Sequence, residues 1–362
     1  MTSNSHELLT RRKLLAWAAV SLPAAKLLSQ VSFAEGAGQN AVTGDAVLLN
    51  YPGWIGKGEQ KGFSARFPGA KITVSTEVPD SGSYAQFVKS RPGAFDFFLG
   101  DVASVAQAKA AGVFEQMDFS KVPNIKNIAP KYRRDYPDAM PNDTGKVVIG
   151  YRKDLVKATI TSWADFWKLA PKLDGRVTML DIDGDTIGVG LKYLGYSVNS
   201  TNAEEYAKAT AALIKIKPNL QAVTSKDLAK KLAGGQIAMC TCFDYDIAAA
   251  QGKSKNIAWV IPDEGTTGYL EGFIPVKGTK KLDLVHQFMN FHLEPKNYAD
   301  FINATGSSWL MPAAEKYIKP SIRSSEVLAP TARARKLVEY GGFRGAKGTQ
   351  ALAKAWAEFK AA

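Results

Sequence analysis

Cysteine and histidine are scarce in this chain: two of the first and three of the second in 362 residues. The cysteines, Cys240 and Cys242, stand one residue apart. A bridge between them would strain disulfide geometry, so the sequence predicts two buried thiols on one face of a strand and no disulfide framework. His286 and His292 lie six positions apart in one helical pattern, about 120° off a common face. That placement excludes a metal pair or a catalytic couple, and neither a metal nor another cofactor is expected. Nucleophile elbows, P-loops and dinucleotide fingerprints are missing, as are fixed-period repeats and low-complexity tracts. Beyond a short apolar run at 14–25, nothing approaches the roughly 20 apolar residues that a membrane-spanning helix needs.

What is present is ordinary globular material, 46% hydrophobic and 22% charged, in a length that suits two domains. The apolar run follows Arg11, Arg12 and Lys13 and precedes Ser32-Phe33-Ala34. A basic stretch, a short apolar segment and a small-x-small end make an export signal. The expectation is cleavage near Ala34, a periplasmic product and a flexible tether over 35–44. The order Thr10-Arg11-Arg12-Lys13-Leu14-Leu15 fits a twin-arginine signal, with an ordinary secretory signal as the alternative. No cysteine stands at the signal's end to carry a lipid. The formal charge is +12, and removing 1–34 takes away four basic residues and one acidic residue, which leaves +9. Such an excess favours anionic partners in general. Here the lysines are scattered, as over 225–231 and 277–281, which reads as solvated helix faces. Nucleic acid is therefore not an expected partner.

Strand and helix patterns alternate from residue 46 onward. Strands are expected at 46–50, 71–78 and 95–99, with helices at 83–89 and from Asp101 to Gly112. After the turn-rich stretch 137–145, a second series reads as strands at 147–151, 176–181, 236–243 and 257–261. Its helices begin at Ser162, whose Ser-x-x-Asp order forms a capping box, then occupy 203–216, Asp244 to Gln251 and 282–293. Two α/β series of about 100 residues each predict two lobes with a cleft between them, where strand ends and helix N-termini converge.

Several side chains are placed to serve such a cleft. Tyr51 and Trp54 flank Pro52-Gly53 at a strand's end, as a ligand wall or as sheet-edge core. Asp181, Asp183 and Asp185 suggest a calcium loop, but Lys192 holds the twelfth position, where an EF-hand needs glutamate. Asp185 is left as a ligand carboxylate or a helix cap. Tyr269 and Glu271, two apart in an extended segment, point the same way, as a ring and carboxylate for a ligand or as a hinge pair. Asp244 caps its helix or contacts a ligand, with Phe243 beside it as a wall. The rival reading is an exported hydrolase using Asp183, Asp185 and Glu271, against which stands the lack of an activated nucleophile.

From residue 45 to 362 the chain resembles the periplasmic spermidine/putrescine-type solute-binding proteins of ABC importers. The resemblance rests on ordered blocks: Leu49-Asn50-Tyr51-Pro52-Gly53-Trp54, Phe95-Asp96, Thr161 to Trp167, Leu194-Gly195-Tyr196, Pro262-Asp263-Glu264-Gly265 and Phe288-Met289-Asn290-Phe291. It implies a type II, two-lobed α/β fold, with 45–148 plus 272–315 as one lobe and 149–271 plus 316–362 as the other. It also implies a monomer that delivers a small amine-bearing or zwitterionic solute to an inner-membrane permease. By the same resemblance Tyr51, Trp54, Asp185, Tyr269 and Glu271 hold an ammonium ligand, and the turn with Ser307, Ser308 and Trp309 reaches the cleft. Four positions depart from the family pattern: Gly53, Ala103, Cys242 and the block Asn142-Asp143-Thr144-Gly145. Arg152 and Arg344 are the candidates to hold a carboxylate, should the solute carry one.

Overall fold

The alternation read along the chain folds as two sheet regions that share two long strands. The computed structural model describes residues 42–77 and 84–362. In the first region β1 (Gly44–Leu49) pairs in parallel with β2 (Ala70–Ser75) and β3 (Phe97–Asp101). The Phe97–Leu99 run is fully buried, as a parallel strand covered on both faces requires. The strand expectations at 71–78, 176–181 and 236–243 are too long, the strands being Ala70–Ser75, Val177–Met179 and Met239–Phe243. The 71–78 strand ends at Ser75, and Val78, like Ser83 of the expected 83–89 helix, lies outside the described residues.

The largest difference concerns β4. It runs over thirteen residues, Met140–Arg152, and begins inside the stretch expected to be turns. It is followed by β5 (Val177–Met179), β6 (Ala222–Val223), β7 (Met239–Phe243), β8 (Ile257–Val260), β9 (Thr266–Pro275) and β10 (Val338–Tyr340). The first half of β4 pairs antiparallel with β9, and its second half pairs with β7 and β8. β9 in turn pairs with β3 and β10. The strand order is therefore β2-β1-β3-β9-β4-β7-β5-β6. Residues 277–281, read as a helix face, are instead the turn that leads into the helix Leu282–His292.

Aromatic packing fixes the first region. Phe63 meets Phe288 and Phe291 edge-on at 5.4 and 5.5 Å, and Phe97 meets Phe273 at 5.6 Å, geometries that favour the ring quadrupoles. His292 has a structural place here. Its Nδ1 lies 2.5 Å from Glu59 Oε1, both side chains are buried, and Glu59 Oε2 accepts the Gly56 N–H at 3.0 Å. This pair ties the loop after β1 to the helix behind the sheet. In the second region the Ser162 capping box is present, and Trp163 Nε1 donates to the Gly265 carbonyl at 2.8 Å. A seventeen-residue helix, Gly345–Ala361, ends the chain against the helix Ala203–Ile216. The alternation had not indicated it.

Candidate functional site

Pro52-Gly53 makes a tight turn: Trp54 N–H bonds the Tyr51 carbonyl at 3.1 Å and Gly53 takes φ 76°. A positive φ at this turn position is tolerated by glycine with little strain. The turn sets both aromatic rings at the edge of a cleft of about 980 Å³, the size that suits a small solute. β9 places Tyr269 and Glu271 on its wall, β7 ends there at Phe243, and the helix Asp183–Tyr193 points its first turn, with Asp183 and Asp185, into the same space. The structure thus brings together Tyr51, Trp54, Asp185, Phe243, Tyr269 and Glu271. Asp185 is not a helix cap, because Ile182 holds that position and Asp185 Oδ1 accepts from Thr267 Oγ1 at 3.2 Å.

Asp244, Ser308 and Trp309 are elsewhere, which corrects the expectation that they face the cleft. They line a separate recess of about 50 Å³ with Lys146. Side chains alternate across a strand and its continuation, so Phe243 turns to the cleft while Asp244 turns away. Asp244 is not the helix N-cap either; Phe243 holds that position. Asp244 Oδ2 takes Lys146 Nζ at 2.9 Å and the Ser308 hydroxyl at 2.9 Å, with both ionic side chains buried. Trp309 donates to Glu315 at 3.0 Å.

Sequence reasoning did not assign a ligand role to Tyr84, Asp101, Thr267 or Tyr245, all of which line the cleft. In the sequence Asp101 marks only the start of a helix. It does cap Val102–Ala111, accepting from Ser104 N at 2.8 Å, and also faces the cavity. Tyr245 stacks on Phe243 at 5.3 Å and meets Trp54 edge-on at 5.5 Å, so rings from opposite sides of the cleft touch. The alternation of helical and strand signals could not show this, since it is a tertiary contact.

Register concentrates negative charge. Asp101 of β3 and Asp143 of β4 both stand directly opposite Glu271 of β9, so three carboxyls share one face of neighbouring strands about 4.8 Å apart. Like charges so placed are destabilising. No lysine, arginine or histidine lies within 4 Å of Asp101, Asp143, Asp183, Asp185 or Glu271 among the described residues. Burial raises Asp185 to about 7, and raises Asp143 to about 7 as well. Burial also lifts Glu271 well above the usual carboxyl range, with the charges of Asp143 and Asp101 adding to it. The Tyr269 hydroxyl is buried without a hydrogen-bond partner among the described residues, an omission that native interiors rarely tolerate except at functional places. Among the described residues no group of three or more histidine, cysteine, aspartate or glutamate side chains is arranged to hold a metal ion.

Two sheet regions joined by crossing strands, with an aromatic and acidic cleft, define a solute receptor of the type II periplasmic binding class. The chain belongs to the bacterial extracellular solute-binding protein family, whose profile matches residues 61–327. It is similar to the putrescine/cadaverine-binding protein of Pseudomonas aeruginosa, 27% identical over 92% of this chain and 99% of that one. The putrescine-binding periplasmic protein PotF of Escherichia coli is 28% identical over 74% of this chain and 78% of its own length. Among solved structures, the TpPotD lipoprotein of Treponema pallidum superposes with a TM-score of 0.77 at 25% identity, covering 87% of this chain and 99% of that one. The family is one of binding proteins, and the hydrolase alternative finds no support in it.

Proposed function

We propose that this protein captures a small amine-bearing solute, of the diamine or polyamine class or a related amino compound, and delivers it to an inner-membrane ABC permease. One observation carries the reading: buried carboxyls without cationic partners converge with aromatic rings in a single cleft. An ammonium supplies the missing charge, and ring faces attract it as well. Tyr51, Trp54, Tyr269 and Phe243 form the wall, and Asp185 and Glu271 take the charge. The relatives named for putrescine and cadaverine support the same chemistry. Closure is selected by a solute that touches both sides at once. The exchange of β4's partners between Lys146 and Val147 supports a lobe boundary near 148. We assign 1–34 to an export signal that leaves a periplasmic receptor.

Titration calorimetry with putrescine, cadaverine and spermidine tests the reading. At least one is expected to bind with a sub-millimolar Kd and to raise the melting temperature by mass action. If none binds, nor any amino-carboxylate, the reading fails.

Acidity provides a second test. An alkylammonium keeps its charge up to about pH 10, whereas Asp185, raised to about 7, is largely protonated at pH 6. Affinity is therefore expected to weaken about tenfold from pH 8 to pH 6. Stability of the unliganded protein should move oppositely. A carboxyl with a raised folded pKa binds more protons folded than unfolded between about pH 4 and 7, so the melting temperature should fall as pH rises through that window. Calorimetry and thermal melts across pH 5.5–8 check both signs.

A further inference from the structure

The cleft also contains a cation. Arg344, at the N-cap of the helix Gly345–Ala361, lines it beside Asp183, Asp185 and Gly342. Its guanidinium is clamped by backbone: Nε donates to the Val198 carbonyl at 2.9 Å, and an Nη donates to the Gly342 carbonyl at 3.3 Å. Those bonds use two of five N–H groups. No carboxylate lies within 4 Å of it among the described residues, although the cleft holds four. It acts on Asp101 and Asp185 only as a neighbouring charge that favours their ionised forms. The other candidate, Arg152, is excluded. It is spent on Asp154 and on the Ala233 carbonyl and does not line the cleft.

A fixed guanidinium works against a ligand that is cationic at both ends. One ammonium can sit among the rings and carboxylates, but a second placed against Arg344 meets a like charge. A carboxylate placed there meets a planar fork already oriented, and bidentate Arg–carboxylate pairing is among the stronger polar contacts available. Fixing the fork in advance removes part of the ordering cost of binding.

We propose that Arg344 is the anion anchor of this cleft and that the solute is an amino-carboxylate, with its ammonium among the rings and acids and its carboxylate on the Arg344 fork. This rests on the amine reading above and narrows it. Arg344 is a specificity-determining residue, set at the N-cap of the terminal helix.

The test compares molecules of matched length on the purified protein by calorimetry: 4-aminobutyrate against putrescine, and 5-aminovalerate against cadaverine. The wild type is expected to bind an amino-carboxylate more tightly than its diamine partner. Arg344→Gln is expected to weaken amino-carboxylate binding by roughly 30- to 100-fold and to strengthen diamine binding. Arg344→Lys, which keeps the charge and loses the fork, should recover part of the loss. Diamine binding by Arg344→Gln shows that the cleft is still formed, and its melting temperature gives a second control. Tighter binding of diamines than of both amino-carboxylates by the wild type overturns the proposal and leaves the amine reading intact. So does an Arg344→Gln protein whose amino-carboxylate affinity stays within threefold of wild type. If the wild type binds neither kind of molecule, the amine reading itself fails and this inference with it.

Discussion

Glu271→Gln is expected to lower affinity for the captured amine by about 30- to 1,000-fold at pH 8, the loss of about 2–4 kcal/mol that follows when one partner of a buried charge pair is removed. Glutamine keeps the shape and the hydrogen-bonding capacity, so the loss reports the charge. The unliganded variant should melt higher than the wild type. Without a solute Glu271 is buried opposite both Asp101 and Asp143, and an uncharged amide there avoids the desolvation and repulsion that the ionised carboxyl meets. Opposite changes in affinity and in melting temperature are the signature of a group held in an unfavourable place for the sake of a ligand. Calorimetry and a thermal melt on the same preparation decide it. An affinity within threefold of wild type removes Glu271 from the site.

The second large effect concerns stability. Asp244→Ala leaves Lys146 buried with no carboxylate, since the side chain of Lys146 is 6% exposed and that of Asp244 is 0% exposed. Breaking such a pair from one side costs about 3–5 kcal/mol. The Ser308 hydroxyl loses an acceptor as well, although it also donates to the Leu328 carbonyl at 2.9 Å. Chemical denaturation should show that loss, while the protein that remains folded keeps its affinity for the solute. Replacing both partners, Lys146→Met with Asp244→Leu, is expected to recover much of the stability. A large fall in affinity with little fall in stability would return Asp244 to the ligand site.

These two residues show what a sequence discloses and what it does not. Glu271 was legible because it stands two positions from Tyr269 in an extended segment, and period-two geometry alone puts both on one side. Tyr51 and Trp54 were legible through the Pro-Gly turn between them. Asp244 followed a strand just as plausibly, but which side of a joint a strand end faces depends on the neighbours the strand acquires. Here the partner strand delivers Lys146 from about 100 residues earlier. The start of β4 was hidden for a related reason. Asn142, Asp143, Thr144 and Gly145 have the composition of a turn, and they become strand because β9 pairs with Asp143, Thr144 and Gly145, Asn142 standing at a break in the register, and the Tyr269 ring lies over Gly145, where an added Cβ would sit 2.4 Å from the ring. Asp101 shows a third limit. A capping signal explained it fully, so nothing prompted a second role.

The pairing of β9 with β3 also bears on the order in which the molecule can come into being. β1, β2 and β3 are complete by residue 101, yet the strand that closes their open edge, and the helix that buries their aromatic face, span Thr266–Pro275 and Leu282–His292. A chain emerging from the ribosome must therefore carry an exposed row of backbone donors and acceptors, beside uncovered phenylalanines, for about half of its synthesis. Neither half can be released early as a finished piece. The long wait gives a holding chaperone its natural opportunity, and it makes truncations before about residue 290 prone to aggregate rather than to yield a smaller working receptor.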